Sequence, residues 1–122
     1  MSDRIILKDL QVFARHGVLP EEKRLGQRFA IDVVAFMDLT QAGRTDDYAQ
    51  TVCYDALTRT VVETLTERRF FLIEAAAEAV ASALLAAFPQ IERVGVEVRK
   101  PGAAIDAVFA HVAVAIERGR DA

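Results

Sequence analysis

From Phe29 to Met37 every second residue is apolar. Phe29, Ile31, Val33, Ala35 and Met37 share one parity, and Arg28, Asp32 and Asp38 hold the other. Side chains alternate between the two faces of a strand, so this pattern demands a sheet with one covered face and one polar face. The spacing predicts a strand over residues 28–39. A second stretch repeats it: Val94, Val96 and Val98 alternate with Gly95, Glu97 and Arg99, which predicts a strand over 91–100.

The covered face needs apolar stripes from elsewhere in the chain. Residues 55–69 carry Leu57, Val61, Val62 and Leu65 at helical spacing, with Asp55 as the expected N-cap. Residues 73–88 present Ile73, Ala76, Ala77, Val80, Leu84 and Phe88 on one stripe, and Pro89 stops that helix. Two further strands are expected. One spans 5–14 and ends in the turn His16-Gly17-Val18-Leu19-Pro20. The other spans 108–117, with Val108, Val112, Val114 and Ile116 apolar. The order is β-β-α-α-β-β, an α+β plan with an antiparallel sheet and both helices on one face. No linker or composition break interrupts it, so residues 1–122 are expected to form one domain. The plan leaves sheet edges exposed. Pairing them between copies would cover them, which predicts a ring-like homo-oligomer with sites between subunits.

Composition narrows the function. The net charge is −3, without the basic stripe that phosphate-backbone binding requires, so nucleic acid is not an expected partner. Glu67-Arg68-Arg69 mixes both signs and reads as a solvated helix end. The N-terminal MSDRIILKDL breaks its apolar run with charges, so neither a signal peptide nor a membrane span is expected there. Cys53 is the single cysteine, which suits a reducing compartment, and a cytoplasmic location is the expectation. With His16 and His111 it makes too few ligands for a zinc site unless carboxylates join, and no metal or other cofactor is expected.

Several residues are open to two readings. Lys100 stands where the Val94–Val96–Val98 parity calls for an apolar residue. It either snorkels to water from a strand end or is partly desolvated beside a ligand, which would suit acid–base work. Glu74 opens the second helix after Phe70-Phe71-Leu72-Ile73. It either complements the helix dipole or grips a planar donor pair, such as the ring N–H and amine of a guanine-like heterocycle. Tyr54 is packing material or a proton donor, with Tyr48 as its competitor. Glu22 and Glu21 are surface loop residues or ligands for substrate hydroxyls. His16 reads as turn material and Cys53 as a small packed residue.

Four stretches together resemble the dihydroneopterin aldolase family of folate biosynthesis, over nearly the whole chain. They are HGVLPEEKRLGQRFAIDV, AGRTDDYAQTVCYDAL, FFLIEAAAEAVA and VEVRKPGA. The resemblance implies the tunnelling fold, in which ββααββ subunits join their sheets into a barrel-like ring, usually two rings stacked as an octamer. It implies a pterin pocket between neighbouring subunits. Glu74 is then the pterin anchor, Leu72 and Ile73 its neighbours, and Glu22 the group near the hydroxylated side chain. Lys100 and Tyr54 are the implied catalytic pair, with Val52, Cys53 and Tyr54 reaching in from the adjacent subunit. The segment after Lys100 departs from the family pattern, with Asp106-Ala107 in place of a Pro-Gly. The implied activity is metal-independent cleavage of 7,8-dihydroneopterin. Alternatives are a dihydroneopterin or dihydroneopterin triphosphate epimerase, for which Arg15, Lys23 and Arg24 would supply cations, and a non-catalytic pterin or purine binder.

Overall fold

The computed structural model describes residues 3–120. Four strands form one antiparallel sheet in the order β1-β2-β3-β4: β1 Arg4–Ala14, β2 Gln27–Phe36, β3 Arg93–Lys100 and β4 Val112–Gly119. Helix α3, Tyr54–Glu67, and helix α4, Ile73–Ala87, connect β2 to β3 and pack over one face. This is the expected α+β frame. Two short helices decorate it, α1 at Pro20–Leu25 and α2 at Thr40–Thr45, with a single 3-10 turn at Tyr48–Gln50. The sequence pattern read these stretches as a turn and a loop, because neither short helix buries a residue and so neither leaves an apolar stripe.

The core lies where the alternation puts it. Phe29, Ile31, Val33 and Ala35 of β2 and Val94, Val96 and Val98 of β3 are buried against Leu57, Val61 and Leu65 of α3 and Ala77, Val80 and Leu84 of α4. Each large apolar side chain so buried contributes about 1.5–3 kcal/mol. Small Ala76, Ala77 and Ala81, all fully buried, let α4 approach the sheet closely. On the opposite face Arg99 gathers Asp32, Glu97 and Asp9 at 2.8–2.9 Å. The β1–β2 register slips between Leu7 and Leu10. Asp9 there takes a positive φ of 58° and its N–H donates to Asp32 Oδ1 at 2.7 Å. A bulge thus turns a backbone donor towards a carboxylate.

Several boundaries differ from expectation, among them the end of β2, at Phe36 and not at 39, and the start of β3, at Arg93 and not at 91. Strand β4 begins at Val112, not at 108, and Val108 is wholly exposed. The register explains this: Val112 faces Lys100, the last residue of β3, so residues 108–111 have no β3 partner. Helix α3 starts one residue early, and its N-cap is Cys53, whose Sγ accepts from the Ala56 N–H at 3.4 Å. Asp55 lies in the first turn instead, paired with Arg59 one turn on. The same helix ends at Glu67, and Arg68 is already extended. Among the described residues no helix is long and apolar enough to cross a membrane.

Candidate active site

Strand β3 delivers Lys100 to the core side of the sheet, one step past Val98, where the N-terminus of α4 leaves a pocket of about 350 Å³. Helix α1 supplies Glu22, the start of α4 supplies Leu72, Ile73 and Glu74, and the loop after β3 supplies Ala103 to Ile105. Lys100 Nζ lies 2.5 Å from Glu22 Oε2, and the two side chains are only 14% and 9% exposed. A pair so enclosed is a charge-assisted contact with little competition from water. Glu22 is therefore not the surface loop residue that its neighbours in PEEKRLGQ suggest.

The Glu22 carboxyl feels opposed influences. Burial pushes its pKa up, but the Lys100 ammonium, the Leu19 N–H and the charge of Arg69 outweigh this and hold it below the usual range. The Leu19 N–H donates to Oε1 at 3.2 Å. The other oxygen is left to Lys100. Glu74 is exposed in the first turn of α4, at the pocket wall. Leu72, the N-cap residue, has no side-chain cap bond, so the first N–H groups of α4 are left without a capping side chain at the pocket wall.

The turn before α1 was legible only as punctuation. His16 is 1% exposed, and its Nδ1 accepts from the Phe70 N–H at 2.9 Å. Its ring lies between Phe29 and Phe70, with centroids 5.3 and 5.2 Å away. Gly17 follows with φ 139°, and a Cβ there would fall inside the Glu22 carboxylate. The positive φ calls for a glycine, and any side chain there would displace the carboxylate. Arg69 is not part of a solvated helix end. Its guanidinium donates to the carbonyls of Arg15, Gly17 and Leu19. A histidine-glycine pair was the only signal for this arrangement; nothing in the local pattern distinguished Arg69 from Arg68.

Tyr54, the other expected catalytic residue, is not near Lys100 within one chain. It is 65% exposed and lines a separate depression of about 450 Å³ beside β1, with Ile5, Leu39 and Leu57. The Val52 side chain is buried in its own core at 3% exposure. Cys53 caps α3, and its thiol pKa is drawn down first by a hydrogen bond from Tyr48 and then by the Ala56 N–H. The structure thus joins Glu22, Leu72, Ile73, Glu74 and Lys100, and holds Val52, Cys53 and Tyr54 apart from them on the β1 side.

An antiparallel α+β frame thus carries an enclosed lysine–carboxylate pair beside a helix start, in a pocket of small-molecule size. The FolB dihydroneopterin aldolase family model matches residues 5–117, and the chain belongs to that family. A dihydroneopterin aldolase of Methylorubrum extorquens is 54% identical, covering 98% of this chain and 92% of its own length. The crystal structure of the Escherichia coli dihydroneopterin aldolase in complex with neopterin superposes with a TM-score of 0.87 at 36% identity, covering 96% of this chain and 99% of that one. The Burkholderia thailandensis enzyme bound to guanine gives 0.79 at 27% identity, covering 98% and 92%.

Proposed function

We propose that the chain cleaves 7,8-dihydroneopterin by a retro-aldol reaction to 6-hydroxymethyl-7,8-dihydropterin and glycolaldehyde. The observation that carries this reading is the Lys100–Glu22 pair, 2.5 Å apart in the pocket that also holds Glu74. A retro-aldol step needs a sink for the electron pair of the breaking bond. In a 7,8-dihydropterin the C6=N5 imine is that sink, so the protein has only to orient the substrate and move protons. Glu74 and the backbone at Leu72 and Ile73 hold the pterin edge. The neopterin and guanine complexes of the two relatives support a ring of this kind as the ligand.

The 2′-hydroxyl loses its proton through water and becomes the glycolaldehyde carbonyl as C1′–C2′ breaks. The released pair moves into C6–C1′ while N5 gains a proton, with Lys100 beside it. Protonation of C1′ by Tyr54, through its hydroxyl, then restores the C6=N5 bond as N5 gives up its proton. Glu22 sits beside Lys100 as its counter-ion and reaches the hydroxylated side chain.

Tyr54 enters from a neighbouring copy. Strands β1 and β4 are the two edges of the sheet. The Tyr54 depression borders β1, and the Lys100 pocket borders Val112 of β4. Joining β4 of one copy to β1 of the next brings both to one seam, with Cys53 and the backbone of Val52 alongside. Repeating the contact closes a ring, and two stacked rings give the octamer that the family resemblance implies. Incubating the pure, chelator-treated protein with 7,8-dihydroneopterin should release glycolaldehyde and 6-hydroxymethyl-7,8-dihydropterin in equal amounts. Binding without product would reduce the chain to a pterin binder, and formation of a 2′-epimer alone would make it an epimerase.

A further inference from the structure

Three backbone carbonyls of the turn before α1 converge on one point. They belong to Arg15, Gly17 and Leu19, and the Arg69 guanidinium occupies that point, with Nε donating to Arg15 at 3.0 Å and Nη2 to Gly17 and, at 3.3 Å, to Leu19. Converging carbonyl dipoles repel one another, so a group that donates to all three stabilises the shape of this turn. A planar fork can serve three acceptors at once, which a single ammonium does poorly. The same guanidinium stacks over the Phe71 ring, 4.9 Å from its centroid, and Phe71 lines the pocket. Arg69 itself lies outside the pocket lining.

We propose that Arg69 is a positioning residue for the reaction, holding the turn that sets the Glu22 carboxylate against Lys100. The linkage is continuous. Arg69 fixes the carbonyls of residues 15, 17 and 19; the Gly17 N–H bonds to the Phe70 carbonyl at 3.0 Å, and the Phe70 N–H bonds back to His16. The Leu19 N–H holds Glu22 Oε1, and Glu22 Oε2 meets Lys100. The carboxylate lies in the space that a Gly17 side chain would occupy, so its position follows that of the turn. Pterin anchoring by Glu74 depends instead on α4, which the core holds. Losing Arg69 therefore weakens turnover more than binding. The proposal rests on Lys100 being the proton-transfer group.

The test compares Arg69→Met, Arg69→Lys and Glu22→Gln, singly and combined. Arg69→Met should lower kcat about tenfold or more with KM changed less than about threefold, Arg69→Lys should lie between, and millimolar methylguanidinium should restore part of the loss in Arg69→Met. In the Glu22→Gln background Arg69→Met should cost almost nothing further, because both act through one carboxylate. Equal losses in the two backgrounds, or normal turnover in Arg69→Met, would overturn the proposal. A readout independent of turnover is the NMR titration of the Glu22 carboxyl in Arg69→Lys, which keeps the positive charge but not the fork: it should move up towards the ordinary range as the turn shifts, and an unmoved titration also overturns the proposal. If the unmutated chain makes no glycolaldehyde, the activity reading fails while this titration still decides the role of Arg69. Should Arg69→Met fail to fold, Arg69→Lys carries the same comparisons.

Discussion

Lys100 continues the parity of Val94, Val96 and Val98, yet it meets a carboxylate instead of the core. The side chain does not snorkel to water: it is enclosed and faces Glu22. Lys100→Ala should keep the fold and still bind pterin, but lose about 100-fold or more in kcat, within the usual worth of a general acid–base group. A coupled assay on a variant with an unchanged circular dichroism spectrum checks this; near-normal turnover would refute it. Glu22 then loses its counter-ion, so its carboxyl should titrate higher in the variant. A second prediction concerns His16. Burial lowers its pKa, helped by the positive charges of Arg69 and Lys100 and opposed by a backbone hydrogen bond at Leu65. Phe29 and Phe70 enclose the ring, and the Phe70 N–H needs Nδ1 unprotonated. A folded pKa below the unfolded value of about 6.5 means stability that is complete above that pH and is lost as pH falls through the folded pKa. Glu22, also depressed, acts in the same sense but only below about pH 4.3. The melting temperature should therefore fall between pH 7 and pH 5, and His16→Asn, which retains an acceptor but no titrating ring, should flatten that fall. An equally steep fall in the variant would exclude His16 as its source.

Elements ordered by repeating patterns were legible, and elements ordered by single contacts were not. Strands β2 and β3 and the stripes of α3 and α4 follow from periodicity because each position pays into the same buried face. The start of β4 depends on where β3 ends, a fact two strands away in register. The N-cap of α3 falls to Cys53, two residues before Asp55, because the chain enters the helix at Tyr54. The local pattern could not separate Glu22 from Glu21 or from a surface residue, since its burial comes from a partner 78 positions further along the chain. Another such contact closes α4. Arg120 donates to the carbonyls of Leu85, Phe88 and Ile91 at 2.8–2.9 Å, tying the end of α4 to the turn into β3, where the Phe88 carbonyl also accepts from the Ile91 N–H at 3.0 Å. Arg120→Ala should cost roughly 1 kcal/mol, discounted from the worth of charged hydrogen bonds because the side chain is exposed. Urea unfolding would measure it, and Arg120→Lys should recover only part, since an ammonium cannot serve three separated carbonyls in one plane. An unchanged midpoint in the alanine variant would show that water satisfies these carbonyls as well as the guanidinium does.

At the scale of the whole molecule, the two halves of the proposed machinery lie on opposite edges of one sheet. Lys100 and Glu22 face a pocket bordered by β4, and Tyr54 stands over a depression bordered by β1. A single copy cannot unite them, whereas the proposed edge-to-edge pairing would do so at every seam. The exposed apolar residues agree with this: Ile6 and Tyr54 are exposed on the β1 side, and Phe71, Leu72 and Val112 around the pocket. Such side chains cost less when a neighbour covers them. The arrangement makes a prediction that no intrachain site can meet. Lys100→Ala and Tyr54→Phe chains should each have little activity alone. Unfolded together in equal amounts and refolded, they form mixed rings. A seam is intact when a Tyr54→Phe chain contributes Lys100 and its neighbour, a Lys100→Ala chain, contributes Tyr54. Random assembly gives that order at roughly one seam in four, so about a quarter of the unmutated activity should return. Mixing the folded variants without dissociation should restore far less at first. If co-refolded variants remain as inactive as the separate ones while forming rings of normal size, Tyr54 and Lys100 do not serve a shared seam.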